Sequence, residues 1–222
     1  MTESAPDLIA ENLACRRGER LVFTGVSFRL AAGGALMVTG ANGSGKTSLL
    51  RLLATLSTPA AGRLVWGSAP IEADITEHRA RLHYVGHQDG VKPALTPRET
   101  LGFWAALRGF ELSRAPPLVD MALAAFALDT VAEWPCRWLS AGQRRRLALA
   151  RLIVAPASLW LLDEPTSALD HDSQVALEHA IAAHRASGGR VVVASHTPID
   201  IDAAAGLVLD AFAPSLSHAA AG

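Results

Sequence analysis

The chain has 222 residues, half of them hydrophobic, and its 20 basic and 21 acidic side chains leave a formal net charge of −1. That length fits one large domain or two small ones with a sizeable core. The balanced charge argues against bulk binding to nucleic acid, which requires an excess of Lys and Arg, so no nucleic-acid partner is expected. The one strong basic run, Arg144-Arg145-Arg146, is interpreted as the solvated or phosphate-facing side of a helix start in preference to an RNA patch.

The sequence contains neither a membrane span nor a disulfide framework. Its longest apolar stretch, Leu147–Leu162, is interrupted by Arg151 and Pro156, whereas a span needs roughly 18 consecutive apolar residues. Cys15 and Cys136 stand alone without metal-ligand spacing, and we expect both to be buried thiols in a reducing compartment. The polar first segment does not resemble a signal peptide, so any membrane role is expected to depend on a partner.

Apolar patterns predict that the first elements are mostly strands. Two strands flank a turn at residues 16–19, and a buried strand and a helix flank the glycine-rich segment at residues 40–45. The predicted strands are Ile9–Leu13, Leu21–Leu30, Ala35–Thr39, Arg63–Gly67 and Leu82–Val85, and the helix is Ser48–Leu53.

The pattern becomes helical from residue 96 to residue 127, and helices alternate with strands after that. Thr96, Pro97 and Glu99 fit the N-cap, N1 and N3 positions of a helix, and the helical pattern continues to residue 127 with a break at Pro116-Pro117. The later elements are a helix capped by Ser140 and ending near Ala155, a strand Leu159–Leu162, a helix Ser173–Ala186, a strand Arg190–Ala194 and a short strand at 207–209. The alternation predicts an α/β fold in one domain, 1–222, with a mostly parallel core (about 1–87 and 141–212), a helical insertion (about 88–140) and a frayed tail (213–222).

Gly40–Thr47 matches the phosphate-binding loop G-x-x-x-x-G-K-T at every fixed position, between a predicted strand and a predicted helix. Glycines let backbone amides approach phosphate oxygens closely, and the helix dipole favours the negative charge. Lys46 can reach the terminal phosphates and the Thr47 hydroxyl can bind Mg²⁺. This context disfavours a glycine-rich turn without a ligand. The predicted nucleotide-binding residues are Gly40, Ala41, Asn42, Gly43, Ser44, Gly45, Lys46, Thr47 and Ser48.

Two later segments have their own chemistry. Asp163 and Glu164 follow a buried strand, where Asp163 is placed to hold Mg²⁺ and Glu164 to polarise an attacking water. An acidic turn without function would be the better interpretation only if the phosphate loop were missing. The helix N-terminus at Ser140, Ala141, Gly142 and Gln143 forms a second anion-facing site. Because one nucleotide does not need two such sites in one chain, we expect it to serve a nucleotide held by another subunit.

Together these segments resemble the nucleotide-binding subunits of ABC transporters over nearly the whole chain. The similarity rests on six motifs in the family's order: Walker A at Gly40–Thr47, the Q-loop at Gln88, the signature motif at Leu139–Gln143, Walker B at Leu159–Glu164, the D-loop at Ser167–Asp170 and the H-loop at Ser195-His196. The resemblance implies a P-loop NTPase core with a mostly parallel sheet, a small antiparallel β part and an inserted helical subdomain. It also implies a head-to-tail homodimer that closes around two molecules of ATP with Mg²⁺.

The resemblance also implies the role of each site residue. Lys46, Glu164 and His196 would be catalytic, with His196 near the γ-phosphate. Thr47, Gln88 and Asp163 would bind Mg²⁺, Gln88 would move with the helical subdomain, and Asp170 would contribute from the D-loop. ABC subunits usually stack an aromatic ring on adenine, but the turn before Walker A here is Cys15-Arg16-Arg17-Gly18. Arg17 could stack its guanidinium on the base instead, or be an exposed turn residue.

A narrower resemblance is to the haem-exporter ATPases of cytochrome c biogenesis. It rests on Ala141 in the signature motif, on the segment Val85–Pro93 with Leu95-Thr96, on Leu159–Leu162, on Gly188–Val192 and on the short length. It implies integral-membrane partner subunits and a place on the cytoplasmic face of the bacterial inner membrane. We expect that haem is not bound directly, since the chain has no Cys-x-x-Cys-His site. The alternatives are an ABC transport ATPase for another cargo and a soluble non-transport ABC ATPase.

Overall fold

The computed structural model describes residues 5–109, 115–197 and 199–214. Its strands are β1 (Leu8–Arg17), β2 (Arg20–Leu30), β3 (Ala35–Thr39), β4 (Ala61–Trp66), β5 (Ala69–Pro70), β6 (Leu82–Val85), β7 (Leu159–Asp163), β8 (Arg190–Ala194) and β9 (Ala205–Val208). Its helices are α1 (Lys46–Leu53), α2 (Ile75–Ala80), α3 (Pro97–Leu107), α4 (Ala115–Ala125), α5 (Ala141–Val154) and α6 (His171–Ala186). Short 3₁₀ turns occur at Ile71–Ala73, Asp129–Val131, Cys136–Trp138 and Leu209–Phe212.

The strands form two sheets. The central sheet is parallel, in the order β6-β7-β8-β3-β9, and all residues of β7 and β8 are buried. Their unbroken apolar runs are typical of inner strands that are covered on both faces. The second sheet is antiparallel, in the order β2-β1-β4-β5. The predicted combination of a mostly parallel core and a small antiparallel part is therefore confirmed.

The register of the parallel sheet brings three loops to one edge. Asp163 at the end of β7 pairs with Ala194 at the end of β8, and Ala194 also pairs with Val38 of β3. The residues that follow these strands are the loop 40–45, Glu164 and the segment 195–196. Parallel strands place their carboxyl ends together, so segments far apart in sequence meet at the same edge.

Helices α3, α4 and α5 pack against one another beside the central sheet. Leu101, Leu123, Phe126 and Leu147 are buried in one apolar cluster, which continues to Trp160 of β7. The predicted start of α3 is confirmed, because the Thr96 side chain accepts from the Glu99 amide at 3.1 Å while the Glu99 carboxylate accepts from the Thr96 amide at 2.9 Å. The limits of a helical subdomain at about 88 and 140 stay a prediction.

Short elements escaped the sequence analysis. Helix α2 has six residues and is capped by Asp74, which accepts from the Glu77 amide at 2.8 Å. Six residues are too few to show a helical period. The predicted tail, 213–222, falls outside the described residues except for 213–214. Cys15 and Cys136 are buried free thiols, as predicted, and none of the helices in the described ranges is long and apolar enough to cross a membrane.

A buried histidine makes stability depend on pH. His83 is 2% exposed; its Nε2 donates to the Ala155 carbonyl, and its Nδ1 accepts from Arg108 at 3.5 Å. Both contacts suit the neutral ring, and burial lowers the pKa of His83 to about 3. The unfolded chain then binds more protons than the folded chain below the ordinary histidine pKa. Stability is therefore fully present above about pH 6.5 and falls as the pH drops towards the folded value.

We expect His83→Gln to reduce this acid sensitivity, because glutamine keeps the donor to Ala155 without titrating. Between about pH 7.5 and about pH 5.5 the wild type should lose about 1.4 kcal/mol more unfolding free energy than the variant. Urea unfolding at both pH values measures the difference. Equal losses in the two proteins would show that His83 is not the titrating group.

Candidate active site

The phosphate loop leads into a helix start that has no side-chain cap. Helix α1 begins at Lys46, and its N-cap residue Gly45 has φ +108° and no side-chain cap. A Cβ at Gly45 would lie 2.7 Å from Val22 Cγ1, so only glycine fits. The Ser44 hydroxyl is buried without a hydrogen-bond partner among the described residues. A helix start with uncapped amides and an orphaned hydroxyl fits an anionic phosphate group.

Lys46 and Asp210 hold the loop itself. The Lys46 side chain is buried, and its Nζ donates to the carbonyls of Gly40 at 2.7 Å and Ala41 at 3.2 Å. The Ala41 amide donates to the Asp210 carboxylate at 3.0 Å. Asp210 lies in the last 3₁₀ turn, and nothing in the sequence pattern connects it to residues 40–45. These hydrogen bonds order the loop and place the ammonium group of Lys46 inside it.

Thr47 and Asp163 form a pair of oxygen ligands. The Thr47 hydroxyl donates to Asp163 Oδ1 at 3.2 Å, and the Tyr84 hydroxyl lies 3.5 Å from Oδ2. Burial raises the pKa of Asp163, which the hydrogen bond from Thr47 opposes. A hydroxyl beside a carboxylate is a hard donor set that suits Mg²⁺. Tyr84 was missed by the sequence analysis and is brought here by the pairing of β6 with β7.

Glu164 and His196 are in direct contact, as their expected cooperation requires. Glu164 Oε2 lies 2.8 Å from His196 Nδ1 and 3.4 Å from the His196 amide nitrogen. Glu164 has φ +49°, a region that strains non-glycine residues, and its amide donates to the Ala194 carbonyl at 2.8 Å. This conformation turns the carboxylate away from β7 and towards the loop after β8.

A cavity of about 340 Å³ joins the loop to the two carboxylates. Nine of its lining residues were predicted from the sequence, and two, Arg20 and Val22, were not. The lining residues are Arg17, Arg20, Val22, Asn42, Gly43, Gly45, Lys46, Thr47, Ser48, Asp163 and Glu164. Across the part of the chain that the structure describes, no aromatic side chain lines this cavity.

Other predicted site residues lie outside the cavity. Ser140 and Gln143 cap α5 reciprocally: the Gln143 backbone amide donates to the Ser140 hydroxyl at 3.1 Å, and the Ser140 backbone amide donates to the side-chain Oε1 of Gln143 at 2.8 Å. Gln88 is exposed, and Asp170 caps α6 by accepting from the Ser173 amide at 2.9 Å. Ala141 and Gly142 follow Ser140 in the first turn of α5. One chain therefore brings together the phosphate loop and the carboxylates, but not the signature segment.

Residues 23–167 match the ABC transporter family. The chain is 58% identical over 217 residues to the cytochrome c biogenesis ATP-binding export protein CcmA of Rhodospirillum rubrum, covering 97% of this chain and 91% of that protein. It is 53% identical to the CcmA protein of Paramagnetospirillum magneticum, covering 92% and 94% of the two chains. The chain belongs to the ABC transporter family, within the group of CcmA proteins. It is therefore a nucleotide-binding ATPase whose hydrolysis is coupled to transport.

Solved structures agree with this fold. A putative ABC transporter ATP-binding protein from Pyrococcus furiosus superimposes with a TM-score of 0.81 at 21% identity, covering 94% of this chain and all of that one. A second ABC transporter ATP-binding subunit gives a TM-score of 0.76 at 21% identity, covering 85% and 79% of the two chains. The ABC ATPase fold inferred from the six motifs is thus confirmed.

Proposed function

We propose that this ABC ATPase powers haem export for the maturation of c-type cytochromes. The observation that carries the proposal is the 58% identity, over almost the whole chain, to a cytochrome c biogenesis ATP-binding export protein. In this proposal the chain works on the cytoplasmic face of the bacterial inner membrane, attached through integral-membrane partner subunits. Haem is not bound directly and is handled by those partners.

The site geometry supports a separate role for each of these residues in ATP hydrolysis. Lys46 and the amides at the start of α1 bind the terminal phosphates, with Nζ exchanging the loop carbonyls for phosphate oxygens. Thr47, Asp163 and Gln88 would hold Mg²⁺, which neutralises phosphate charge when bound. Glu164 accepts the proton of the attacking water. His196 holds the Glu164 carboxylate through its Nδ1 and would contact the γ-phosphate.

The base is held at the hairpin between β1 and β2. Arg17 and Arg20 are cross-strand partners at the end of this hairpin, and both line the cavity. A planar guanidinium can stack on a purine in the way an aromatic ring does. We assign the stacking role to Arg17, which is one of the two alternatives that the sequence left open.

The signature segment is assigned to the nucleotide of a second copy of the chain. Ser140 and Ala141 are exposed, and neither they nor Gly142 and Gln143 reach the cavity of their own chain. Their helix start is ordered by its own cap and presents amides outward. A homodimer would place each of these helix starts against the phosphate loop of the other copy.

The test combines partner capture with a cellular readout. We expect the tagged chain to retain integral-membrane subunits after membrane solubilisation, and a Lys46→Ala strain to lose its c-type cytochromes. Arg63→Ala serves as the control, since it removes an exposed cation that pairs with Glu11 on the antiparallel sheet. Captured membrane subunits with normal cytochromes would point to another cargo. An absence of membrane subunits would contradict the transport role and favour a soluble ABC ATPase.

A further inference from the structure

Arg145 uses every hydrogen of its guanidinium. It lies in the second turn of α5, and its side chain is 4% exposed. Its Nε donates to the Pro165 carbonyl at 3.2 Å, and its Nη2 donates to the carbonyls of Asp163 at 3.0 Å and Glu164 at 2.7 Å. Its Nη1 donates to the Gly86 carbonyl at 2.9 Å and to Asp89 Oδ1 at 3.2 Å. All five N–H groups of the fork therefore have acceptors.

The three residues of the basic run differ sharply from one another. Arg144 donates to the Leu139 carbonyl of its own helix start, and Arg146 donates to the carbonyls of Phe126 and Ala127, both at 3.2 Å. Only Arg145 reaches the catalytic edge of the central sheet. The interpretation of this run as a solvated or phosphate-facing surface is therefore wrong at its middle residue, which faces the protein interior.

Three of the four carbonyls that Arg145 binds belong to the consecutive residues 163–165, which include the two carboxylate residues Asp163 and Glu164. The middle one, Glu164, is the residue held at φ +49°. A strained backbone conformation persists only where its surroundings determine it, and two hydrogen bonds from one rigid fork fix the carbonyls on either side of that φ angle. Lysine cannot reproduce this arrangement, because its ammonium group has three donors at a single point.

The same guanidinium reaches the segment around Gln88. Gly86 and Asp89 lie on either side of it, and the carboxylate of Asp89 is the ion-pair partner of Arg145. This segment joins β6 to α3, whereas Arg145 belongs to the helix that begins with the signature segment. One side chain thus links α5, the segment 86–89 and the turn at Glu164.

We propose that Arg145 is a positioning residue for hydrolysis, which holds the turn at Glu164 in its reactive conformation and ties that turn to the segment 86–89. The inference rests on the proposed role of Glu164 in ATP hydrolysis. Arg145 touches neither nucleotide nor water in this assignment. It acts through the backbone of Glu164, so its loss affects the rate of the chemical step and leaves nucleotide binding in place.

The test compares Arg145→Lys with Arg190→Lys. Arg190 is equally buried, at 2% exposure, but it donates to the carbonyls of Pro6 and Gly188 at the opposite end of β8. Steady-state ATP hydrolysis, binding of a fluorescent ATP analogue and thermal unfolding are measured for both variants. We expect Arg145→Lys to lower kcat roughly 10- to 100-fold, as a displaced catalytic group does, with an analogue Kd within about twofold of wild type. Arg190→Lys should keep kcat and report the stability cost of losing a buried guanidinium.

A second comparison separates positioning from a general loss of structure. On a Glu164→Gln background, Arg145→Lys should cause no further loss of activity, because the residue through which it acts is already disabled. An unchanged kcat, a loss of kcat equal to that of Arg190→Lys, or losses that multiply on the Glu164→Gln background would each overturn the inference. A wild-type protein without ATPase activity would instead overturn the proposed function, and the inference with it.

Discussion

Glu164→Gln is expected to slow ATP hydrolysis severely while leaving ATP binding intact. Glutamine has the same size and can still accept a hydrogen bond from His196, whose Nδ1 lies 2.8 Å from the Glu164 carboxylate. It cannot take a proton from water, and loss of a general base typically slows a reaction about 10²- to 10⁴-fold. Phosphate release and equilibrium binding of ATP, measured on the same preparation, separate the two effects.

The matched control for this variant is Glu178→Gln. Glu178 lies on α6 and accepts from the Asp200 amide at 3.2 Å, and it does not line the nucleotide cavity. The same loss of one negative charge should leave turnover unchanged there. Normal hydrolysis by Glu164→Gln would mean that another group activates the water, with Asp163 the remaining carboxylate in the cavity.

The Glu164→Gln protein should also form a dimer when ATP is added, and Ser140→Asp should prevent that dimer. The reason is the proposed position of the α5 start against the triphosphate of the other copy. Aspartate is as good an N-cap as serine, so the helix start survives, but a negative charge would face the phosphates. Like charges across an interface cost several kcal/mol, equivalent to a loss of about 100-fold or more in dimer affinity.

Ser140→Asn is the neutral counterpart, because asparagine caps a helix equally well without the charge. Analytical ultracentrifugation of the two double variants, with ATP and without it, gives the comparison. We expect the asparagine protein to dimerise far more strongly than the aspartate protein, with equal ATP affinity in their monomers. Dimers of equal strength would rule out an arrangement in which residues 140–143 face the partner's nucleotide.

The chemistry of the site could be predicted from sequence where it is local. The phosphate loop and the Asp163-Glu164 pair are contiguous in the chain, and each follows a strand whose apolar run is plain. The starts of α3 and α5 could be predicted for the same reason, since a capping box spans only four residues. Parallel pairing then brings the loops together, and the motif order determines which ones meet.

Contacts between residues that are far apart in the sequence could not be predicted in this way. Three side chains reach the site from other elements: Tyr84 from β6, Asp210 from the last 3₁₀ turn and Arg145 from α5. Each lies 18 to 169 residues away in sequence from the residue that it contacts. No periodic pattern identifies such residues. The same limit applies to His83, since only the packing of β6 shows that it is buried and that its ring is neutral.

The reciprocal cap at Ser140 and Gln143 has a consequence for how two copies would meet. Because both side chains are already hydrogen-bonded within one chain, the exposed helix start has its final shape before any second copy arrives. In the proposed homodimer, association would lose little conformational entropy at this segment, and the two surfaces would dock as rigid bodies without a folding step. The dimer lifetime would accordingly be governed by the nucleotide between the surfaces, through the rate of dissociation.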